Sequence, residues 1–330
     1  MNPAKAPHAA AAALLIACLA TVGPIADRAA AQDWPNRNVT VVVPLGAGSA
    51  SDIMARVVME QVGRQTSRTF VIENRPGAGG TIGAGMVAKS APDGYTMLAY
   101  GALSTAHALH AKLSYDTLAD FIPVIPFGIQ PLVVVTSPAK GYKTLGDLIA
   151  AAKAKPGTLN YTSAGVGSAS HFAAERLRAS AGFTAQHIPF KGAAEAVTEV
   201  MAGRADFSVQ LFTTTLPLLR DGKLTALAVS AQQRASVMPE LPTTIEAGLT
   251  ADSVYPFYSA LFLPAKTPHD IVEKLYRETA AALAAPPVRE RFGTLGVEPM
   301  PMTLAQFGEF FRKDVEATVA LTKAAGIEPQ

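Results

Sequence analysis

Glycine and serine dominate the stretch of this sequence that is best suited to chemistry. Residues 45–52 read LGAGSASD and follow the β-branched run VTVVV, which ends before Pro44. An apolar run, a glycine turn and a helix start predict a strand–turn–helix unit. Such a turn presents unpaired N–H groups and the positive end of a helix dipole, and both attract anions. The pattern predicts an anion site at Leu45, Gly46, Ala47, Gly48, Ser51 and Asp52.

Two kinds of anion suit this turn: the pyrophosphate of a dinucleotide and a smaller carboxylate. Gly46-x-Gly48-x-x-Ser51 is close to the dinucleotide fingerprint, and Glu73 follows at the distance of its ribose-binding acid. However, Ser51 replaces the third glycine, and the N-terminus resembles an export signal, which directs a protein away from nicotinamide cofactors. We therefore expect a carboxylate and no cofactor. A turn that only connects strand to helix is the remaining alternative.

Two further glycine-rich turns precede predicted helices. They are RPGAGGT at residues 75–81 and SAGVGS at residues 163–168. Serine and threonine hydroxyls add hydrogen-bond donors there without a formal charge, although these residues are also common as simple helix caps. We expect at least two of the three turns to face a ligand.

Other candidate residues carry weaker signals. His171 follows the third turn and either orients that turn or contacts the ligand, whereas Phe190, Lys191 and Tyr258 either line a cleft or serve as ordinary packing and surface residues. A pairing of Ser168 or Ser170 with His171 is disfavoured because sequence neighbours on a helix do not face each other. His107-x-x-His110 has a metal-like spacing but no nearby carboxylate, and no hydrolase, P-loop or metalloprotease motif is present. We expect neither a metal nor catalytic residues.

Composition excludes several classes of function. The 330 residues are 49% hydrophobic and 16% charged, with a net charge of +2 and no long basic run. Nucleic-acid binding depends on clustered Lys and Arg and is therefore not expected. Cys18 is the only cysteine, so the sequence predicts no disulfides and no cysteine-based metal site.

The first 31 residues have the features of a signal peptide. Lys5 precedes the apolar stretch AAAALLIACLATVG, and AAA at residues 29–31 suits signal peptidase. We expect cleavage before Gln32 and an exported protein in the periplasm. Leu15-Ile16-Ala17-Cys18 resembles a lipobox, so a lipid anchor at Cys18 is the alternative.

These turns must be positioned by alternating strands and helices. Strand-like and helix-like segments alternate from residue 39 to about residue 263, and the C-terminal part is mostly helical. This pattern predicts parallel sheets covered by helices, and turns spread over both halves predict two sheets facing one cleft. We expect no internal repeat.

The mature sequence resembles one known family. The segments FVIENRPGAGGTIGA, LNYTSAGVGSASHFAAE and HIPFKGAAEAVTEVMAGRADF, among others, follow the order found in the extracytoplasmic solute receptors of tripartite tricarboxylate transporters, also called Bug proteins. The resemblance extends from Trp34 to the C-terminus.

This resemblance implies a type II-like periplasmic binding protein of the α/β class. Two lobes joined by crossing strands would close over a small carboxylate, and the lobes would comprise residues 32–132 with 258–330 and residues 133–257. In similar proteins, amides, hydroxyls and waters of two facing turns hold the carboxylate. On this chain the corresponding residues lie at 45–52 and 163–171, and they include Ser163, Gly165, Val166, Gly167, Ser168 and His171, with Gly80, Thr81, Leu103 and Ser104 nearby.

The sequence departs from the family pattern at two places. Leu45-Gly46-Ala47-Gly48-Ser49 replaces the usual Phe-x-x-Gly-Gly, and Gln210 replaces a frequent Asp. The neutral Gln210 disfavours a cationic or amino-acid ligand and favours a di- or tricarboxylate or an aromatic acid. We expect a monomeric receptor that delivers this acid to a membrane permease. A periplasmic enzyme for such acids and a ligand sensor for a kinase are the alternatives.

Overall fold

Strands and helices alternate along most of the chain. The computed structural model describes residues 34–190, 192–255 and 257–324, so the predicted signal peptide and Cys18 lie outside the described residues. In chain order the elements are β1 (Val39–Val43), α1 (Ala50–Thr66), β2 (Phe70–Asn74), α2 (Thr81–Ala88), β3 (Thr96–Tyr100), α3 (Leu103–Leu109), β4 (Phe121–Gln130), β5 (Leu132–Thr136), α4 (Leu145–Ala154), β6 (Asn160–Ser163), α5 (Ala169–Ala181), β7 (Gln186–Pro189), α6 (Ala193–Met201), β8 (Phe207–Leu211), α7 (Phe212–Arg220), β9 (Thr225–Ser230), β10 (Phe257–Pro264), α8 (His269–Ala284), α9 (Pro286–Leu295) and α10 (Leu304–Ala324). Short 3-10 turns lie at Ala78–Gly80, Pro138–Lys140 and Ala251–Ser253.

The strands form two five-stranded sheets with the same plan. Their orders are β2-β1-β3-β10-β4 and β7-β6-β8-β5-β9. In the first sheet β1 is parallel to β2 and β3, and β10 is antiparallel to β3 and β4. In the second, β6 is parallel to β7 and β8, and β5 is antiparallel to β8 and β9. The predicted two-lobed α/β fold is confirmed, but each sheet is mixed rather than parallel.

The chain enters each lobe through the strand that runs antiparallel to its neighbours. This strand is β5 in the second lobe and β10 in the first. β4 ends at Gln130 in the first sheet, and β5 begins at Leu132 in the second. After β9 the chain passes through the 3-10 turn Ala251–Ser253 and returns to the first sheet as β10. Each crossing thus leaves the edge strand of one sheet, β4 or β9, and enters the fourth strand of the other, β5 or β10.

Both lobes are built around buried apolar side chains. In the first lobe, Met54 and Val58 of α1 and Leu275 of α8 pack in one cluster, and Phe307 and Phe311 of α10 belong to another. Full burial of one such side chain contributes about 1.5–3 kcal/mol to folding. These clusters make the sheets rigid supports for the turns at their strand ends.

The second lobe has two corresponding clusters. Tyr161, Phe172 and Phe207 are fully buried in one, and Val135 and Leu216 belong to the other. Among the described residues, no helix combines the length and the apolar character needed to cross a membrane.

Candidate functional site

The first-lobe turn joins β1 to α1 and is held by its own side chains. Ser49 caps the helix, because its Oγ accepts a hydrogen bond from the Asp52 amide at 3.4 Å. Gly48 has φ +79°, a left-handed conformation that favours glycine. Its amide donates to Asp52 Oδ2 at 2.8 Å. Gly46 and Ala47 are exposed at the tip of this turn.

Asp52 stabilises this turn through hydrogen bonds to its buried carboxylate. It is 3% exposed, and it accepts hydrogen bonds from Arg56 Nε at 3.1 Å and from Asn74 Nδ2 at 3.0 Å. Burial alone would raise the pKa of Asp52, but hydrogen bonds from Arg56, Gly48 and Asn74 hold it below its usual value. Asn74 Nδ2 also donates to the carbonyl of Leu45 at 3.0 Å. The charged carboxylate is therefore occupied within the turn.

The second-lobe turn joins β6 to α5 and is held in the same way. The Ser168 hydroxyl accepts from the His171 amide at 3.3 Å and donates to the Gly165 carbonyl at 2.7 Å. Gly167 has φ +78°, and its amide donates to His171 Nδ1 at 3.1 Å. Val166 is 48% exposed at the tip.

The two turns are a matched pair, a relationship that the sequence analysis missed. GAGSASD at residues 46–52 and GVGSASH at residues 165–171 differ only at the second and last positions. The second glycine has nearly the same φ in both turns, and the serine after it caps the helix in both. The last residue accepts the glycine amide in both, as a carboxylate in Asp52 and as an imidazole in His171. The sequence analysis missed this likeness because only seven residues carry it.

The pair occupies equivalent places in the two sheets. β1 and β6 both stand second in their sheets, and both have parallel neighbours on either side. The carboxyl ends of such strands are where open α/β sheets bind ligands. Each helix that follows begins with N–H groups that have no intrahelical acceptor. Each lobe therefore offers one helix N-terminus at the expected edge.

The lobes touch at the end of α3. A Cβ atom placed on Gly167 would overlap Leu109 Cδ1, so any larger residue there would force the Leu109 side chain to move. On the first-lobe side, a Cβ atom on Gly79 would lie 3.6 Å from His110 Nε2. The end of α3 thus lies beside both the 75–81 turn and the 163–171 turn. The predicted 75–81 and 163–171 turns are therefore close to each other in the structure, on either side of the end of α3.

The 75–81 turn depends on glycine conformations. Gly77, Gly79 and Gly80 all have φ values between +63° and +145°. The Tyr100 hydroxyl donates to the Gly79 carbonyl, and Thr81 Oγ1 donates to the Ala78 carbonyl at 3.0 Å. The Thr81 side chain is half-buried, and its hydroxyl proton is used within the turn.

Several other predicted site residues have buried polar partners. Ser51 Oγ lies 3.0 Å from Ser259 Oγ, and Gln210 Nε2 donates to Ser208 Oγ at 2.9 Å. Phe190 is half-buried, and its amide donates to the Ser163 carbonyl at 3.0 Å. Leu103 is buried, and Lys191 lies outside the described residues.

Ser104 and Tyr258 meet a carboxylate that the sequence analysis did not single out. The Tyr258 hydroxyl donates to Asp314 Oδ2 at 2.9 Å, and Ser104 also hydrogen-bonds Asp314. Burial raises the pKa of Asp314, and these two hydrogen bonds only partly offset the effect. Asp314 lies on α10, more than 50 residues after Tyr258, and no local motif marks it.

One cavity among the described residues lies away from the three turns. It has a volume of about 660 Å³ and is bounded by β4, α8, α9 and the segment 297–303. Apolar side chains such as Phe292 and Met300 line it, and none of the three predicted turns contributes to it. It also contains no helix N-terminus of the matched pair, so its size alone does not make it the carboxylate site. No group of His, Cys, Asp and Glu within the described ranges could hold a metal ion.

Known proteins resemble this chain over most of its length. Residues 54–327 match the model of the tripartite tricarboxylate transporter family receptor. BugT of Bordetella pertussis is 32% identical over 311 residues, which are 93% of this chain and 95% of BugT. The structure of R. palustris Rpa4515 with adipate superposes with a TM-score of 0.81 at 30% identity, covering 90% of this chain and all of that one. MatC from Rhodopseudomonas palustris with bound malate gives 0.78 at 31%, covering 87% and 99%.

These likenesses agree with the family resemblance noted in the sequence. They also confirm the prediction of a solute-binding receptor instead of an enzyme, because family and structural neighbours are receptors. The chain belongs to the tripartite tricarboxylate transporter receptor family, whose members are periplasmic solute-binding proteins.

Proposed function

We propose that this protein captures a small organic carboxylate between its lobes and delivers it unchanged to a membrane permease. The observation that carries the proposal is the matched pair of turns, with one helix N-terminus in each lobe. A carboxylate that accepts hydrogen bonds from amides forms shorter and stronger bonds than a neutral acceptor does. Engaging donors from both lobes favours the closed arrangement, because the ligand binds that state better than the open one.

The proposed ligand is a di- or tricarboxylate or an aromatic acid. Two relatives of similar fold hold adipate and malate, which supports a plain carboxylate. Within the described residues, the matched turns contribute one carboxylate, Asp52, and its oxygens are occupied by Gly48, Arg56 and Asn74. A neutral Gln210 also avoids repelling a second carboxylate.

We propose a matching cellular setting. The leader at residues 1–31 would send a monomeric receptor to the periplasm, where permease subunits of a tripartite tricarboxylate transporter are its partners. We place the lobe boundaries near residues 132 and 257, with residues 258–330 completing the first lobe. The sheet membership of β4, β5 and β10 supports this division.

A thermal-shift and calorimetry series tests the proposal. Purified protein is titrated with malate, adipate, citrate and benzoate, and the best acid is then titrated into Gly46→Pro, which removes an exposed amide of the first turn. Arg289→Ala, in the wall of the 660 Å³ cavity, is the matched control. We expect at least one acid to raise the melting temperature with its concentration, by mass action.

The variants then locate the binding. Gly46→Pro should weaken binding about tenfold, the value of roughly one hydrogen bond to a charged group. Arg289→Ala should leave affinity unchanged. An effect of Arg289→Ala alone, or chemical conversion of the acid during the titration, would contradict the proposal.

A further inference from the structure

A second histidine lies beside the second-lobe turn. His187 is on β7, and its Nε2 is 2.7 Å from Ser163 Oγ, at the last residue of β6. Its ring stacks on the His171 ring with centroids 4.0 Å apart and an angle of 7° between planes. It also stacks on Tyr161 at 4.8 Å. His187 therefore contacts both the first and the last residue of the 163–171 turn.

The hydrogen bonds of this turn determine which nitrogens carry protons. The Ser163 hydroxyl accepts from the Gly165 amide at 3.2 Å and lies 3.1 Å from the Gly165 carbonyl and 2.7 Å from His187 Nε2. The Gly165 carbonyl already accepts from the Ser168 amide at 3.1 Å and from the Ser168 hydroxyl at 2.7 Å, so we assign the one Ser163 proton to the shorter contact, with His187 Nε2 as the acceptor. His187 is then a neutral Nδ1–H tautomer, and His171, which accepts the Gly167 amide at Nδ1, is a neutral Nε2–H tautomer.

We propose that His187 is a positioning residue that holds the second-lobe turn in its binding geometry by acting through Ser163 and His171, and that it does so only while both imidazoles are neutral. This inference rests on the proposed role of that turn in carboxylate binding. It extends that role, because His187 would make the second-lobe turn sensitive to acid. The matched first-lobe turn has the carboxylate of Asp52 at the position of His171.

The surroundings of the two rings explain their neutrality. The charged groups facing them are Glu175 and Arg178 of α5, which pair at 2.7 Å, and the Tyr161 hydroxyl of β6 donates to Glu175. Burial, and then the neighbouring His171, lower the pKa of His187 to about 4, and burial lowers that of His171. A proton on His171 Nδ1 would displace the Gly167 amide from its acceptor.

The first-lobe turn provides an internal control for a test without ligand. Amide hydrogen exchange is followed by NMR at Gly165 and Gly167, and at Gly48 of the matched turn. The protein used lacks residues 1–31. The variants are His187→Phe, which keeps a stacking ring but loses the bond to Ser163, then Ser163→Ala, and both together. His187→Gln retains an acceptor for the Ser163 hydroxyl in its amide oxygen.

The variants should separate positioning from general stability. We expect His187→Phe and Ser163→Ala each to speed exchange at Gly165 and Gly167 about fivefold, the value of one ordinary hydrogen bond. The double variant should add nothing, and His187→Gln should recover part of the protection. Exchange at Gly48 should not change. Equal acceleration at Gly48, additive effects in the double variant, or no effect at Gly167 would overturn the proposal.

A pH series on the unmodified protein supplies the second arm. Intrinsic exchange changes equally for both glycines, so the ratio of Gly167 to Gly48 rates isolates the histidines. This ratio should rise as the pH falls from 7 toward about 4, the pKa of His187. A flat ratio would contradict the proposal. Because no acid is added, these outcomes are independent of whether a carboxylate binds.

Discussion

At the scale of residues, two capping serines do equivalent work in the two lobes. Ser49 and Ser168 each accept a hydrogen bond from the amide of the residue three positions later, and each precedes a helix whose first amides we propose as ligand donors. Ser168 also donates to the Gly165 carbonyl, so it fixes the turn on both sides. Ser168 makes more hydrogen bonds within its turn than Ser49 does, and its bonds are shorter. We therefore expect substitution of Ser168 to cost more stability than substitution of Ser49.

Substitution of Ser168 by alanine should therefore affect both stability and binding. We expect Ser168→Ala to lower the free energy of unfolding by about 1 kcal/mol, the usual cost of losing an N-cap. Urea unfolding measures this change, and calorimetry with the acid that binds best measures affinity. Ser49→Ala is the matched control and should cost no more. Unchanged unfolding of Ser168→Ala would contradict this account of the cap.

Acid should destabilise the protein through the stacked histidines. Both rings have lowered pKa values in the folded state, so the unfolded chain binds protons first as the pH falls below about 6.5. Stability from these groups is complete above that pH and is lost as the pH falls toward about 4. We expect His187 to account for about 1 kcal/mol of this loss by pH 5, after allowance for solvent screening.

Urea unfolding at pH 7.5 and pH 5.0, on the unmodified protein and on His187→Phe, measures the contribution. Only the difference between the two proteins is interpreted, because Asp314, with its raised pKa, titrates with the opposite sign. The difference in the free energy of unfolding between the two proteins should be smaller at pH 5.0 than at pH 7.5. A difference that widens on acidification would show that His187 is not held neutral.

At the scale of elements, glycines of identical conformation have different neighbours. Gly48 and Gly167 both have φ near +80°, but a Cβ atom on Gly48 would meet nothing within 4 Å, whereas one on Gly167 would overlap Leu109 of α3. The backbone cost of alanine is thus shared, about 1–2 kcal/mol for a left-handed residue. Of these two glycines, only Gly167 lies against a side chain of the other lobe in this way.

This difference predicts unequal effects of the same substitution. Gly167→Ala should weaken acid binding more than Gly48→Ala does, because the lobes can no longer approach at α3. The double variant Gly167→Ala with Leu109→Ala should recover part of the lost affinity. Calorimetry on the four proteins provides the comparison, and equal losses in the two single variants would show that this contact does not control closure.

The sequence predicted these elements well but not their symmetry. The runs VTVVV and LNYTS, each followed by a glycine turn, were sufficient to predict strand, turn and helix in both lobes. Strand direction was not predictable, because buried runs such as FYSALFLP have the same composition in either direction. The roles of His187 and Asp314 depend on contacts between distant segments, which periodicity does not reveal.

At the scale of the whole molecule, the two lobes have the same plan, and each receives one antiparallel strand by crossing. The crossings after Gln130 and before Phe257 are the only strand connections between sheets within the described ranges. Buried polar groups cluster beside the second crossing, where Tyr255 and Thr105 lie 3.2 Å apart and Arg176 donates to the Val254 carbonyl at 2.8 Å. In the function that we propose, closure brings the matched turns together around an acid.

The central claim is that both matched turns hold one carboxylate ligand. A crystal structure of the protein with the acid that raises its melting temperature most would test this claim most directly. The account predicts ligand oxygens within hydrogen-bond distance of backbone amides at residues 46–51 and at residues 165–170. An acid bound instead in the cavity lined by Phe292 and Met300, with no contact to either turn, would contradict it.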